Sequence, residues 1–263
     1  MFDMIAGRYD AINRVLAMGM DIRWRKRMVA VIQATHPERI LDVATGTADV
    51  SLLLSRAMPE VQIVGIDPSN NMLDVGREKI RKEGRDDRIV LQWGDARDLS
   101  AVSAESFDAA TMAFGIRNVP ERDVALCEIN RLLKTGSRFC ILEFSEPDDS
   151  FGLLGATARL FIRHVIPFLG GILSGAPREY WHLQKSIKNF PAPAVFRQQI
   201  DALECGTGSF HVDEVEQMCF GSVQLYIISV DHPPPPPVEE ELAESPGVDE
   251  EQTEELEEAP QDD

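Results

Sequence analysis

The stretch LDVATGTADV, residues 41–50, decides the fold. It continues an apolar, β-branched run, Arg39–Val43, whose penultimate residue is the carboxylate Asp42. A short turn carrying Gly46 follows, and a helix is predicted to begin at Asp49 or Val50. A tight strand-to-helix turn offers its backbone amides to a ligand, and glycine allows the closest approach. The bend after the strand therefore reads as a binding turn.

The same pattern repeats outward from this turn. Gln62–Ile66 reads as a second strand closed by Asp67, and Ile89–Gln92 as a third, followed by Gly94 and Asp95. Phe107–Ala113 is a fourth, and Arg138–Phe144 a fifth, reached through the turn-like Lys134–Ser137. Between the last two lies a helix. Pro120 suits its first turn, Glu121 and Asp123 the positive end of its dipole, and Lys134 the negative end. Ala125, Ile129, Leu132 and Leu133 recur at helical spacing and should face the sheet. After Pro147 the pattern turns helical, with Gly and Pro breaks to about Pro193, then a helix Phe196–Leu203 and two strands, Phe210–Val212 and Ser222–Val230. Strands alternating with helices predict a doubly wound α/β fold with a mostly parallel, seven-stranded sheet.

Asp67 stands 21 residues after Gly46, about the separation at which a second-strand carboxylate accepts from ribose hydroxyls. Asp95 is placed to accept from an adenine amino group. The alternative for Asp42, Asp67 and Asp95 is simple capping of helices and turns. A dinucleotide would want G-x-G-x-x-G, but Ala44 and Ala48 flank Gly46. S-adenosylmethionine carries no phosphate, so the looser glycine pattern suits it better. The cofactor contacts expected from this pattern are Asp42, Gly46, Asp67 and Asp95.

Composition divides the chain. Residues 231–263 hold 14 acidic and no basic residues, and Pro233–Pro237 is an unbroken proline run. This leaves 30 acidic and 26 basic residues in 1–230, a net charge of −4, which offers no footprint for nucleic acid. A domain over 1–230 and a disordered, Pro-rich acidic tail over 231–263 are expected. The four cysteines, Cys127, Cys140, Cys205 and Cys219, have no CxxC spacing and read as reduced, mostly buried thiols. The five histidines form no metal-ligand pattern. Trp24, Met72 and Trp93 read as core residues.

Several separated blocks resemble the ubiquinone/menaquinone-biosynthesis C-methyltransferases. MFDMIAGRYDAINRVLAMGMDIRWR is similar to the family's first signature through Tyr9, Asp10, Asn13, Leu16, Gly19 and Trp24, with Ala17 and Asp21 departing from its usual serine and histidine. RLLKTGSRFCILEFS resembles the second, with Thr135 and Ser137 in place of proline and glycine. FGIRNV (114–119), EFSEP (143–147) and REYWHLQKSIKNFP (178–191) extend the likeness over residues 1–230. The resemblance implies a Rossmann-like class I methyltransferase with helical insertions covering the substrate. It implies that Thr47, Asp67, Asp95 and Ala96 contact S-adenosylmethionine. Ala113 matches a serine sometimes credited with another contact, and none is assigned to it. Arg117 and Asn118 would face the substrate, while Tyr9 and Asp10 would come from a helix closing over the site.

The implied reaction is C-methylation of a prenylated quinol. Arg117 would stabilise a phenolate and Asn118 would assist proton removal, with Tyr9 or Asp10 the rival for orienting the substrate. An apolar stretch, residues 151–173, is expected either to cover the substrate and touch a membrane or to pack on the sheet; Arg159, Arg163, His164 and Pro167 argue against a bilayer span. The competing readings are a methyltransferase for another small phenol and a non-catalytic subunit of a quinone-biosynthesis complex. A cytoplasmic enzyme, peripheral to the inner membrane, is the first expectation; an organellar one stays open if a targeting peptide precedes this sequence. Oligomeric state is not readable.

Overall fold

The computed structural model describes residues 6–147, 149–174 and 177–233. The acidic tail expected from residue 231 lies, from 234 on, outside the described residues. Two helices, α1 (Ala6–Leu16) and α2 (Met20–Gln33), lead into β1 (Arg39–Val43), α3 (Asp49–Ala57), β2 (Gln62–Asp67), α4 (Asn70–Lys82), β3 (Ile89–Trp93), β4 (Phe107–Ala113), α5 (Arg122–Leu132) and β5 (Leu133–Phe144). Helices α6 (Gly152–Leu160), α7 (Ile166–Ser174), α8 (Pro177–Asn189) and α9 (Pro193–Asp201) precede β6 (Glu204–Cys205), β7 (Gly208–Met218) and β8 (Val223–Asp231).

The strands form one sheet in the order β3-β2-β1-β4-β5-β8-β7-β6. From β3 to β5 neighbours are parallel; β8, β7 and β6 are antiparallel. The seven expected strands are present, and an eighth of two residues, β6, pairs with β7 at the edge. Strand β5 begins earlier than the sequence suggests. Leu133 pairs with Phe107, the register shifts, and pairing resumes at Ala109 and Arg138, so the turn-like Lys134–Ser137 is an irregular part of the strand.

Period-2 alternation sends side chains to two cores. Phe139 and Ile141 of β5, with Tyr226 and Ile228 of β8, join α5 and α9 through Leu126, Ile129, Phe196 and Ile200. Cys140 and Leu142, with Leu225 and Ile227, join α2, α3 and α4 through Met28, Ile32, Leu54 and Leu73. Each fully buried side chain of this size stabilises by about 1.5–3 kcal/mol, so both faces must be covered. That requirement makes the sheet doubly wound. Trp24 packs in the second core as expected and Met72 is buried, but Trp93 is not: at the end of edge strand β3 it is 62% exposed, its indole N–H donating to the Pro68 carbonyl.

The cysteines require a correction. Cys127 of α5 and Cys205 of β6 form a disulfide. The two are 78 residues apart, and only the folded sheet edge brings them together. Cys140 is a free, buried thiol, pushed up to about 12 by desolvation, and Cys219 is free and half-buried.

Such a bridge contributes about 2–4 kcal/mol by closing a long loop. Alkylation of the denatured, unreduced protein should label two thiols, Cys140 and Cys219. Cys205→Ser should lower unfolding stability by that amount in urea titration, and reductant should then have no further effect. Four labelled thiols before reduction would show that the bridge does not form.

Candidate active site

The site is built on the carboxyl ends of β1, β2, β3 and β4, where parallel sheets of this kind bind ligands. At its centre the fully buried Asp42 carboxylate accepts hydrogen bonds from Thr45 Oγ1 (2.7 Å), Ser51 Oγ (2.6 Å) and Thr111 Oγ1 (2.8 Å). Desolvation pushes its carboxyl up from the ordinary value, and the three hydroxyls pull against that shift. The hydroxyls belong to the turn, to α3 and to β4, so one acid ties three elements together. Gly46 has φ of +56°, and its N–H donates to Asp67 Oδ2 at 2.9 Å. The other oxygen of Asp67 accepts from the Ser69 N–H at 2.9 Å.

Around this turn lies a cavity of about 320 Å³, within the range of small-molecule sites. Asp42, Gly46, Thr47, Asp67, Asp95 and Ala96 all line it, as does Asp10 from α1. The structure thus brings the expected cofactor set to one place. Asp95 is held by Arg97, which donates to both carboxylate oxygens and also reaches Glu121. The guanidinium holds the Asp95 carboxyl below the ordinary carboxylate range.

Asp10 is fastened to this turn. Thr47 Oγ1 donates to Asp10 at 2.6 Å, and Lys79 Nζ of α4 reaches Asp10 at 3.0 Å, Thr47 at 3.3 Å and Asp49 as well. Burial disfavours the charge on Asp49, but Lys79, with Arg25 and Arg14, holds its carboxyl below the ordinary range. Sequence reading missed Lys79 because, among the basic residues of α4, it looks like one more solvated cation. The side chain of Tyr9 lies outside the described residues.

A second cavity of about 470 Å³ adjoins the first, sharing Arg25, Phe114 and Asn118 with it. Its walls are mainly apolar: Leu16 of α1, Trp24 of α2, Phe144 of β5, Phe161 and Ile162 after α6, and Ile187 of α8. Phe114 and Phe144 stack at 4.5 Å, with Trp24 edge-on to both. Phe114 adopts φ of 58°, a left-handed conformation that costs an L-residue about 1–2 kcal/mol. Strain of this kind collects where geometry serves a site. The next residue, Gly115, tolerates no side chain: a Cβ there would stand 2.6 Å from that of Ala44.

Arg117 and Asn118 follow in a 3-10 turn, Ile116–Asn118, and both line the larger cavity. Arg117 Nη1 donates to Glu143 Oε1 at 2.5 Å and to the Phe114 carbonyl at 2.6 Å. Both side chains of this ion pair are buried, and among the described residues Arg117 Nε has no hydrogen-bond partner. The helical run from Gly152 to Ser174, continuous through a π-helical turn at Phe161–Val165, turns one face to this cavity and packs on α1 and α8 rather than on the sheet. Its residues Gly152–Gly171 are long and apolar enough to cross a membrane by length and composition alone.

The donor set distinguishes the two cofactors left open above. Five aspartates, Asp10, Asp42, Asp49, Asp67 and Asp95, line the smaller cavity. They would repel a pyrophosphate and favour a sulfonium cation. Ala44 and Ala48 both have positive φ, at 53° and 64°, and place methyl groups where a dinucleotide turn would carry glycines. The residues present fit S-adenosylmethionine.

Comparison with known proteins agrees. A family model described as the ubiE/COQ5 methyltransferase family matches residues 1–225. A demethylmenaquinone methyltransferase of Thermus thermophilus is 39% identical over 81% of this chain and 99% of its own length. A ubiquinone/menaquinone biosynthesis C-methyltransferase UbiE of Syntrophotalea carbinolica is 44% identical over 74% of this chain and 80% of its own. Among solved structures, a putative S-adenosyl-L-methionine-dependent methyltransferase of Methanococcus maripaludis shares the fold with a TM-score of 0.56 at 16% identity, over 88% of this chain and 93% of that one. Carboxylates at successive strand ends, an apolar chamber beside them and these relatives agree: the chain belongs to the ubiE/COQ5 methyltransferase family and is an S-adenosylmethionine-dependent methyltransferase.

Proposed function

We propose that this chain methylates a ring carbon of a prenylated quinol, either demethylmenaquinol or the equivalent ubiquinol-pathway intermediate. The observation that carries the reading is the pair of adjoining cavities, one lined by carboxylates and one by aromatic and aliphatic side chains, with Asn118, Phe114 and Arg25 on their common wall. A polar donor and a lipid-like acceptor need such a division.

In this reading Asp67 accepts from the ribose hydroxyls and Asp95 from the adenine amino group. Gly46, Thr47 and Ala96 contact the donor along the turn and beside β3. Asp42 acts from beneath, through the hydroxyls it holds. When bound, S-adenosylmethionine supplies an electrophilic methyl group. The ring carbon of a quinol would become a nucleophile as its phenolic proton passes to a water held by Asn118, and the ring proton displaced by the methyl group would leave by the same route. Arg117, on the wall of the larger chamber and ion-paired with Glu143, is the cation assigned to favour the phenolate. Asn118, on the shared wall, orients the ring hydroxyl, while Phe114, Phe144 and Trp24 keep water from the reacting atoms. Asp10 holds α1 over the turn, and Tyr9, its neighbour in sequence, is the rival for orienting the substrate. Residues 1–230 carry the activity in this reading, in keeping with the family match over 1–225.

The prenyl chain leaves through the larger cavity beneath the Gly152–Ser174 helices, in this reading toward a membrane. Leu153 is 86% exposed and Phe168 68% exposed on the outer side of these helices, and Trp181 of α8 is exposed as well. An apolar outer face over a lipid-binding chamber suits contact with the cytoplasmic face of the inner membrane. A structural disulfide is uncommon in a reducing compartment, so thiol labelling in cell extract bears on this placement.

Wild-type protein with labelled donor should yield a product one methyl heavier from demethylmenaquinol and none from unrelated phenols. Asp67→Ala should weaken donor binding at least about tenfold in calorimetry. Equal affinity in that variant would remove Asp67 from the site.

Arg117→Ala should retain donor binding and lose about 100-fold or more in kcat. Because its removal strands the buried Glu143, Arg117→Ala/Glu143→Gln should be equally inactive but better folded; full turnover in either variant would exclude the role.

Flotation with anionic vesicles should capture the wild type and lose Leu153→Asp/Phe168→Asp. Capture that is indifferent to both changes would place membrane contact elsewhere.

A further inference from the structure

An unassigned cation stands at the wall between the two cavities. Arg25, on α2, lines both. Its side chain is only 12% exposed, and its Nη1 donates to Asp21 Oδ2 at 2.5 Å. Its Cζ lies 5.3 Å from the Phe114 ring centroid, over the ring face. Nε and Nη2 make no hydrogen bond to a described residue. The guanidinium is therefore held on one edge and one face, with its remaining donors unspent.

The methionyl end of S-adenosylmethionine carries a carboxylate, and the smaller cavity is a poor place for one. Five aspartates line it, and its only basic lining residues are Arg25 and Arg97. Arg97 is spent on Asp95 and Glu121 at the β3 end, where the adenosine is assigned. Lys79 is engaged with Asp10 and Asp49 and does not line the cavity. The methyl group must reach the substrate chamber, so the methionyl group has to extend toward the shared wall. Arg25 is there.

We propose that Arg25 binds the α-carboxylate of S-adenosylmethionine, with Asp21 and the Phe114 ring fixing its guanidinium for that contact. This rests on the orientation assigned above, with adenosine at Asp67 and Asp95. It makes Arg25 a determinant of donor orientation: pinning the carboxylate at the wall fixes where the sulfonium sits relative to the chamber. Guanidinium suits the task because it can pair with two carboxylates at once.

The test compares two ligands that differ only at this group, S-adenosylmethionine and its decarboxylated form, by calorimetry on the full chain. In Arg25→Met, S-adenosylmethionine should bind roughly 10- to 100-fold more weakly. The decarboxylated ligand should bind no more weakly than to wild type, since its extra positive charge gains when a nearby cation is removed. Arg25→Lys should restore part of the loss for S-adenosylmethionine. Because Arg25→Met leaves Asp21 with Arg14 alone, Asp21→Asn/Arg25→Met should show the same ligand-selective loss with both charges removed. Equal weakening of both ligands in the two Met variants, or no weakening of either, overturns the proposal. Failure of the wild type to bind S-adenosylmethionine would instead overturn the cofactor orientation on which it stands.

Discussion

The structure depends on one buried carboxylate. Asp42 is removed from water at a cost that only well-placed donors can offset, and those donors come from the turn, from α3 and from β4. The requirement fixes the path of the chain after β1, and with it the Gly46 N–H that meets Asp67. Two successive strand ends are thereby locked to a single bend. Asp95 is positioned separately, by Arg97.

Much of this was legible in the sequence, for physical reasons. Strands β1 and β4 are short, mostly buried apolar runs, so they could be read to the residue. Asp67 and Asp95 follow from the spacing of the strand ends. Asp42 was legible as a strand-end acid, but its three hydroxyl partners were not, because serine and threonine look alike in a sequence whether they face solvent or a buried charge. Arg117, Asn118 and Asp10 came only through the family resemblance; their local sequence does not show that β4 and α1 converge.

What escaped sequence reading depends on contacts distant along the chain. Cys127 and Cys205 meet only because β6 folds back on β7 beside α5. Lys79 and Arg25 look like surface charges until α1 and α2 are packed over the strand ends. Residues 152–171 have the length and composition of a span, yet one face of the same run lines the larger chamber, and only the packing tells the two apart.

The bond from Thr47 to Asp10, reinforced by Lys79, carries a consequence of its own. Helix α1 bears Asn13 and Leu16, which wall the larger chamber, and the residue that anchors it sits on the lip of the smaller one. A ligand that ordered the turn would through these contacts order that wall as well, and by thermodynamic reciprocity a ligand of the larger chamber would favour binding at the turn by the same factor.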